Sequence, residues 1–413
     1  MEHTQPSLDA TPMAPAVQLL DAGPVLGART ATGAKVWVRL DASRLDAANP
    51  TALRLELAAA SGGAARVFDA SASVEGDGTA VFRLEGLKPG QTHRYRITRA
   101  EEGAATLAEG SFATAPARMT RARIAFGADA AADAATDATI RAIEREHPDA
   151  FILFDDASLE GPISLAAQRS RHRALAKSPA FAELVAEVPL YSAWRGTASG
   201  THVSENQRAE TANRRRAFCE YHPNPAFGDG VEGTYSSFLL GSAEIFLLDA
   251  SSFAQVDPSL LGETQWRWLE DSLSRSTAPF KVVALGCAWS GCSATQNALR
   301  RLAETIGRVH ASGVVLVSTD GARARVLRHS TASAAGYDLL ELIVGPLHAA
   351  SGSDAAEVAP GVLFDRHAPQ TFLILDLEEE RTDGPELRAV FVDAKGDVIH
   401  AREAERSSLG SAR

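Results

Sequence analysis

The chain has 413 residues, 45% hydrophobic and 23% charged, which suits two or three globular domains with a sizeable core. A formal net charge of −11 argues against nucleic acid and against an anionic membrane as partners, because both need a surplus of Lys and Arg. Three cysteines, Cys219, Cys287 and Cys292, are too few for a disulfide framework and read as ordinary reduced thiols. Residues 1–14, rich in Pro, Ser and Thr, read as a disordered arm with neither an apolar signal stretch nor twin arginines, so a cytoplasmic location is expected. No window approaches the ~18 consecutive apolar residues of a membrane span.

From Val17 to about Pro116 the pattern is short strands separated by turns. Lys35-Val36-Trp37-Val38-Arg39-Leu40 alternates as a strand with one buried face should, and Leu53–Leu57, Ala80–Leu84 and His93–Ile97 behave alike. Pro89-Gly90 marks a turn between the last two. No helical period appears, so residues 15–117 are expected to form a β-sandwich. The texture then changes to strands alternating with helices across residues 121–402. Ile124–Gly127, Ala150–Phe154, Val188–Trp194, Lys281–Leu285 and Gly313–Val317 read as strands, and Thr234–Ala250 as a hairpin turning at Gly241-Ser242. Helices are expected over Ala134–His147, over Glu263–Ser274 with Trp266, Leu269 and Leu273 on one face, and along the stripe Leu299, Leu302, Ile306, Val309. The C-terminal part is mainly β, and residues 403–413 read as a frayed tail.

Several segments, in order, resemble the alkaline phosphatase D (PhoD-like) family of metallophosphoesterases. Gly23-Pro24-Val25 with Lys35–Arg39 resembles the opening of that family's N-terminal sandwich. Arg215-Arg216-Ala217-Phe218 with Pro223-Asn224-Pro225, then Tyr235–Phe238 and Glu244–Asp249, resembles its middle. Leu261–Gln265 through Trp268-Leu269 with Pro279-Phe280-Lys281-Val282 is the most specific stretch, and Tyr337–Glu341, Gly345-Pro346-Leu347 and Gln370-Thr371-Phe372 close the match. The resemblance covers about residues 17 to 400. It implies a two-domain chain, α+β and mostly β: an N-terminal fibronectin-type-III-like β-sandwich followed by a four-layer α/β/β/α metallophosphoesterase (calcineurin-like) domain.

Hydrolysis at a two-metal site needs several Asp, His or Asn ligands converging from strand-end loops, and the resemblance lets each loop be inspected. Where the family carries Ser-Cys, this chain has Ala128-Asp129. The Gly-Asp loop reads Phe154-Asp155-Asp156, keeping a carboxylate as Asp156 but with Leu159 at the family's Tyr position. The acidic Trp-Asp-Asp-His run reads Trp194-Arg195-Gly196-Thr197-Ala198. A following Asn aligns loosely with His202, and the last loop keeps Asp320 while losing its His. The metal candidates are therefore Asp156, Asp320, Asp129 and His202, with Arg195 and Arg323 as candidate anion contacts and no confident catalytic residue.

Blander readings stand beside these. Asp156 and Asp320 suit turn caps, and Asp129, Asp133 and Asp137, spaced by four, suit a solvated helix face. His202 suits a loop, Arg214-Arg215-Arg216 a solvated face, and His310, His329, His348 and His367 have no metal spacing. No nucleophile elbow, P-loop or His-Glu-x-x-His motif offers another catalytic template.

The leading expectation is a PhoD-like fold without catalysis, a pseudophosphatase binding a small anion, a phosphate ester or an unidentified protein in the former cleft, with no cofactor. The first alternative is an active phosphomonoesterase or phosphodiesterase holding one divalent ion, where the family uses iron and calcium. The second is an interaction module in which the N-terminal sandwich does the binding.

Overall fold

The alternating residues of the N-terminal region fold into β1 (Leu20–Gly27), β2 (Ala34–Leu40), β3 (Thr51–Ala59), β4 (Arg66–Ala72), β5 (Thr79–Leu84), β6 (Thr92–Arg99) and β7 (Thr106–Ala113). The structure is a computed structural model. It describes residues 19–156, 164–195, 205–253, 259–351, 360–380 and 384–410, without the side chains of residues 156, 205–208, 405, 407 and 408. Strands β4-β3-β6-β7 form a four-stranded antiparallel sheet that packs on β1, β2 and β5 around Val36, Val38, Leu55, Phe82 and Ile97.

The alternating texture that follows becomes β8 (Arg121–Ala128), α1 (Ala134–Arg145), β9 (Ala150–Asp156), α2 (Leu165–Ala176), α3 (Pro179–Glu187), β10 (Leu190–Arg195) and α4 (Glu205–Tyr221). Next come β11 (Ser236–Leu240), β12 (Ala243–Leu248), α5 (Gly262–Arg275), β13 (Phe280–Leu285), α6 (Ser293–Arg308) and β14 (Val314–Thr319). Then follow β15 (Arg323–His329), β16 (Leu339–Val344), β17 (Val362–His367), β18 (Thr371–Glu378), β19 (Glu386–Asp393), β20 (Val398–Glu405) and a 3-10 turn Arg406–Leu409 whose Leu409 is buried in the core, where a frayed tail was expected.

A nine-stranded sheet runs β20-β19-β18-β8-β9-β10-β1-β2-β5, and a seven-stranded sheet runs β11-β12-β13-β14-β16-β15-β17. Their inner faces meet through Phe126, Ile152 and Leu375 on one side and Ile245, Val282 and Val317 on the other. Ile140 of α1 with Phe181 and Leu184 of α3 covers the outer face of the first sheet. Trp266 and Leu269 of α5 with Leu302 and Ile306 of α6 cover that of the second. These are the four layers, helix on sheet on sheet on helix, expected from the resemblance.

The N-terminal module shares a sheet with the rest of the chain. Gly27 of β1 pairs in parallel register with Leu190 of β10. A Cβ at Gly27 would meet the Pro223 ring at 2.4 Å, so only glycine admits this approach. Strand β2 also departs from the expected single buried face. Val36 and Val38 enter the sandwich core, but Trp37 is buried on the opposite face among the helices. Its indole N–H donates to the Glu220 carbonyl at 2.7 Å. Arg39, 3% exposed in its side chain, is buried too because Asp77 and Asp21 satisfy its guanidinium. Alternation signals one wet face only where nothing covers the other, and here α2 and α4 do.

Candidate functional site

Strands β8, β9, β10 and β14 all run their C-terminal ends toward one edge of the two-sheet sandwich, which is where the candidate ligands fall. Asp129 follows β8 with φ +52, a left-handed conformation that Asp tolerates because its short polar side chain bonds locally. Its N–H donates to the Phe154 carbonyl at 3.1 Å, tying it to β9. Asp156 ends β9 in register with Arg195 at the end of β10. The Arg195 backbone packs so closely on β13's exit that a Cβ at Gly286 would meet its Cα at 2.6 Å. Arg195 turns its guanidinium onto the Asp129 carboxylate, a pair whose side chains are 22% and 10% exposed. Burial pushes the Asp129 carboxyl above its ordinary range, and Arg195 opposes that shift.

The other arginines of this edge are engaged in the same way. Arg325 contacts Asp320 at 3.2 Å, and Asp365 of β17 accepts from Arg323 at 2.7 Å and Arg325 at 2.9 Å. The structure thus pairs Asp129 with Arg195 and places Asp320 beside Arg325. The Asp156 side chain and His202 lie outside the described residues. The helix-face reading of Asp129, Asp133 and Asp137 does not hold. Helix α1 starts at Ala134, Asp133 caps it by accepting from the Thr136 N–H at 2.7 Å, and Asp137 accepts from the Ser178 hydroxyl.

The iron and calcium that the resemblance implies need several anionic donors aimed at common points. Among the described side chains of the cleft, Asp129 is engaged by Arg195 and Asp320 by Arg325.

A second cluster, absent from the sequence reading, lies on the helical side of the nine-stranded sheet. Phe151 and Leu153 of β9 enter the core beneath the helices, and Asp155 continues their stripe. Helix α2 buries Gln168, His172 and Leu175 on one face. His222 follows α4, which ends ahead of Pro223 because a residue before proline is driven out of the helical region. The segment after it is fixed on β10 by Asn224, whose amide donates to the Ser192 carbonyl at 2.7 Å and accepts from the Ser192 N–H at 2.8 Å. Asp155, His172 and His222 are 4%, 7% and 4% exposed, and one donor atom from each lies within 4.8 Å of the others.

The hydrogen bonding of this triad is incomplete. His222 Nδ1 lies 3.0 Å from the Phe218 carbonyl, which only accepts, so Nδ1 carries the proton and Nε2 the lone pair. That Nε2 is 3.3 Å from Asp155 Oδ2, and His172 Nδ1 is 3.2 Å from the same oxygen. Distance alone makes both ion-pair contacts, yet Asp155 Oδ2 and His172 Nε2 have no partner of hydrogen-bond geometry. At His222 two lone pairs face each other. Burial lowers the pKa of His172 to about 4 against the pull of Asp155, and lowers that of His222 as well. Tyr221 stacks on His172 with centroids 5.3 Å apart, and its hydroxyl donates to Asp77. A cavity of about 140 Å³ borders Asp155, His172 and Gln168.

The signal for this cluster was in the sequence but weak. Asp155 sits at the i+2 position of an apolar strand stripe, and Gln168, His172 and Leu175 fall on one helical face. Polar groups that continue a buried stripe need partners, though nothing in the spacing says that these two stripes meet.

The PhoD-like phosphatase family model matches residues 155–371, just over half of the chain. No curated protein matches it. Among solved structures, PhoD superposes with a TM-score of 0.73 at 16% identity, covering 92% of this chain and 88% of its own. A purple acid phosphatase isolated from yellow lupin (Lupinus luteus) seeds gives 0.66 at 13% identity, covering 92% and 73%. At such identities the superpositions establish the metallophosphoesterase fold, and the family rests on the matched sequence. This chain belongs to the PhoD-like phosphatase family.

Proposed function

We propose that this PhoD-like chain keeps the family scaffold without two-cation phosphoester hydrolysis at its strand-end cleft. The observation that carries the reading is the ion pair between Arg195 and Asp129. It places a fixed positive charge where the resemblance implies a run of acidic ligands. Like charges at 4 Å repel by about 4 kcal/mol per unit pair at an effective dielectric of about 20, and a divalent ion doubles that. The engagement of Asp320 by Arg325 supports the same reading. Arg195 and Arg323 act as internal partners of Asp129 and Asp365 rather than as a built anion site.

Purified chain would be tested on a phosphomonoester and a phosphodiester with iron and calcium supplied, alongside a phosphate titration. No turnover above the Asp156→Ala variant is expected, and no second metal equivalent. Turnover that disappears with Asp156→Ala, together with two bound ions per chain, would overturn the reading.

A further inference from the structure

We propose that Asp155, His172 and His222 bind one divalent cation of the zinc or iron(II) class, on the helical side of the nine-stranded sheet and next to Asp129 of the cleft, through a donor set that shares no residue with the cleft candidates. Two imidazoles and one carboxylate are a mixed nitrogen and oxygen donor set, which favours borderline transition cations over calcium or magnesium. A tetrahedral ion about 2.0–2.1 Å from its ligands spaces them roughly 3.3 Å apart. Asp155 Oδ2 stands 3.2 Å from His172 Nδ1 and 3.3 Å from His222 Nε2.

The surroundings of His222 match what a ligating histidine requires, whereas the other ring nitrogen of His172, Nε2, has no acceptor. A metal-bound imidazole usually donates its other N–H to a carbonyl or carboxylate, which fixes tautomer and ring orientation. His222 does so to the Phe218 carbonyl, and His172 is held by the Tyr221 ring stacked on it. Without a cation, the His222 Nε2 lone pair points at a buried carboxylate oxygen that has no sound hydrogen bond. A cation between them turns that opposition into two bonds. Asp155 and His172 of the triad border the cavity of about 140 Å³, which has room for a water. The buried Oε1 of Gln168, itself without a partner, lines that cavity and suits such a water as an acceptor.

The test uses untagged full-length protein purified without chelators. Its metal content is measured, and the chelator-treated protein is then titrated with zinc, with iron(II) under anaerobic conditions, with cobalt(II) and with calcium. One equivalent of transition metal is expected, with a raised unfolding temperature and no response to calcium. Bound cobalt should give ligand-field bands without the intense thiolate band that Cys287 or Cys292 would produce. His172→Gln and His222→Gln should each weaken binding at least about 100-fold, while Cys292→Ser should not. Folded wild-type protein that takes up none of these cations would overturn the proposal, as would binding that survives both histidine substitutions. The histidine substitutions assign the bound equivalent to the triad and Asp156→Ala assigns any further ion to the cleft, so failure of this proposal is distinguishable from failure of the cleft reading.

Discussion

A guanidinium against a buried carboxylate leaves each group dependent on the other. Removing only one partner strands a charge in a partly dry place, which costs more than removing both. Asp129→Asn suits the test because asparagine also tolerates the φ of +52 at this position. Arg195→Met keeps most of the side-chain volume. Each single substitution is expected to destabilise the fold by about 1–3 kcal/mol. The double variant should fall short of their sum by about 1–2 kcal/mol, measured by urea unfolding. Strict additivity would mean that the pair is loose in solution, and the electrostatic case against a cation at the cleft would go with it.

At the scale of elements, α4 and the turn after it carry most of the positioning. Asn224 closes two bonds to the backbone of Ser192, and Lys35 donates to the carbonyls of Asn224 and Pro225. Asn224→Ala leaves a buried N–H and C=O of β10 unpaired and should cost about 2–3 kcal/mol. It should also loosen His222 and weaken transition-metal uptake by roughly 10–100-fold. Unchanged uptake in a destabilised but folded variant would show that His222 is held some other way. Elements whose signal is local were legible: the stripe Trp266, Leu269, Leu273 became the buried face of α5. The same reading gave β2 one buried face, because nothing local to Trp37 announces α4 arriving from residue 205 onward. The triad was hidden for the same reason. Asp155, His172 and His222 belong to three elements, and their meeting follows from how α2 and α4 lie on the sheet. At the cleft the resemblance located Asp129 and Arg195, but not the guanidinium turned onto the carboxylate, since side-chain direction is a tertiary outcome.

Across the whole molecule, the shared nine-stranded sheet decides how far the N-terminal module can act alone. Removing residues 1–116 would strip three strands from that sheet and expose the β10 edge beside Leu190. Trp37 and Val25 would leave the core that they share with Phe151 and Leu184. Arg39, Asp77 and the Glu75 carbonyl, which hold Tyr221, Arg169 and Arg216, would go as well. Burial of large apolar side chains contributes about 1.5–3 kcal/mol each, so two or three such losses consume much of an ordinary stability of about 5–15 kcal/mol. The remaining chain should therefore unfold without cooperativity and bind a hydrophobic dye, and its His172 and His222 should no longer retain a transition metal. Calorimetry of residues 117–413 checks this directly: a sharp transition at the full-length temperature would mean two independent domains. The expected outcome also bears on partner mapping. Loss of binding after such a deletion could not distinguish a ligand of the sandwich from a ligand of the rest, since both would be damaged. Substitution at an exposed position of the outer sheet, such as Val67→Lys on β4 where the residue is 52% exposed, addresses the module while leaving the shared sheet intact.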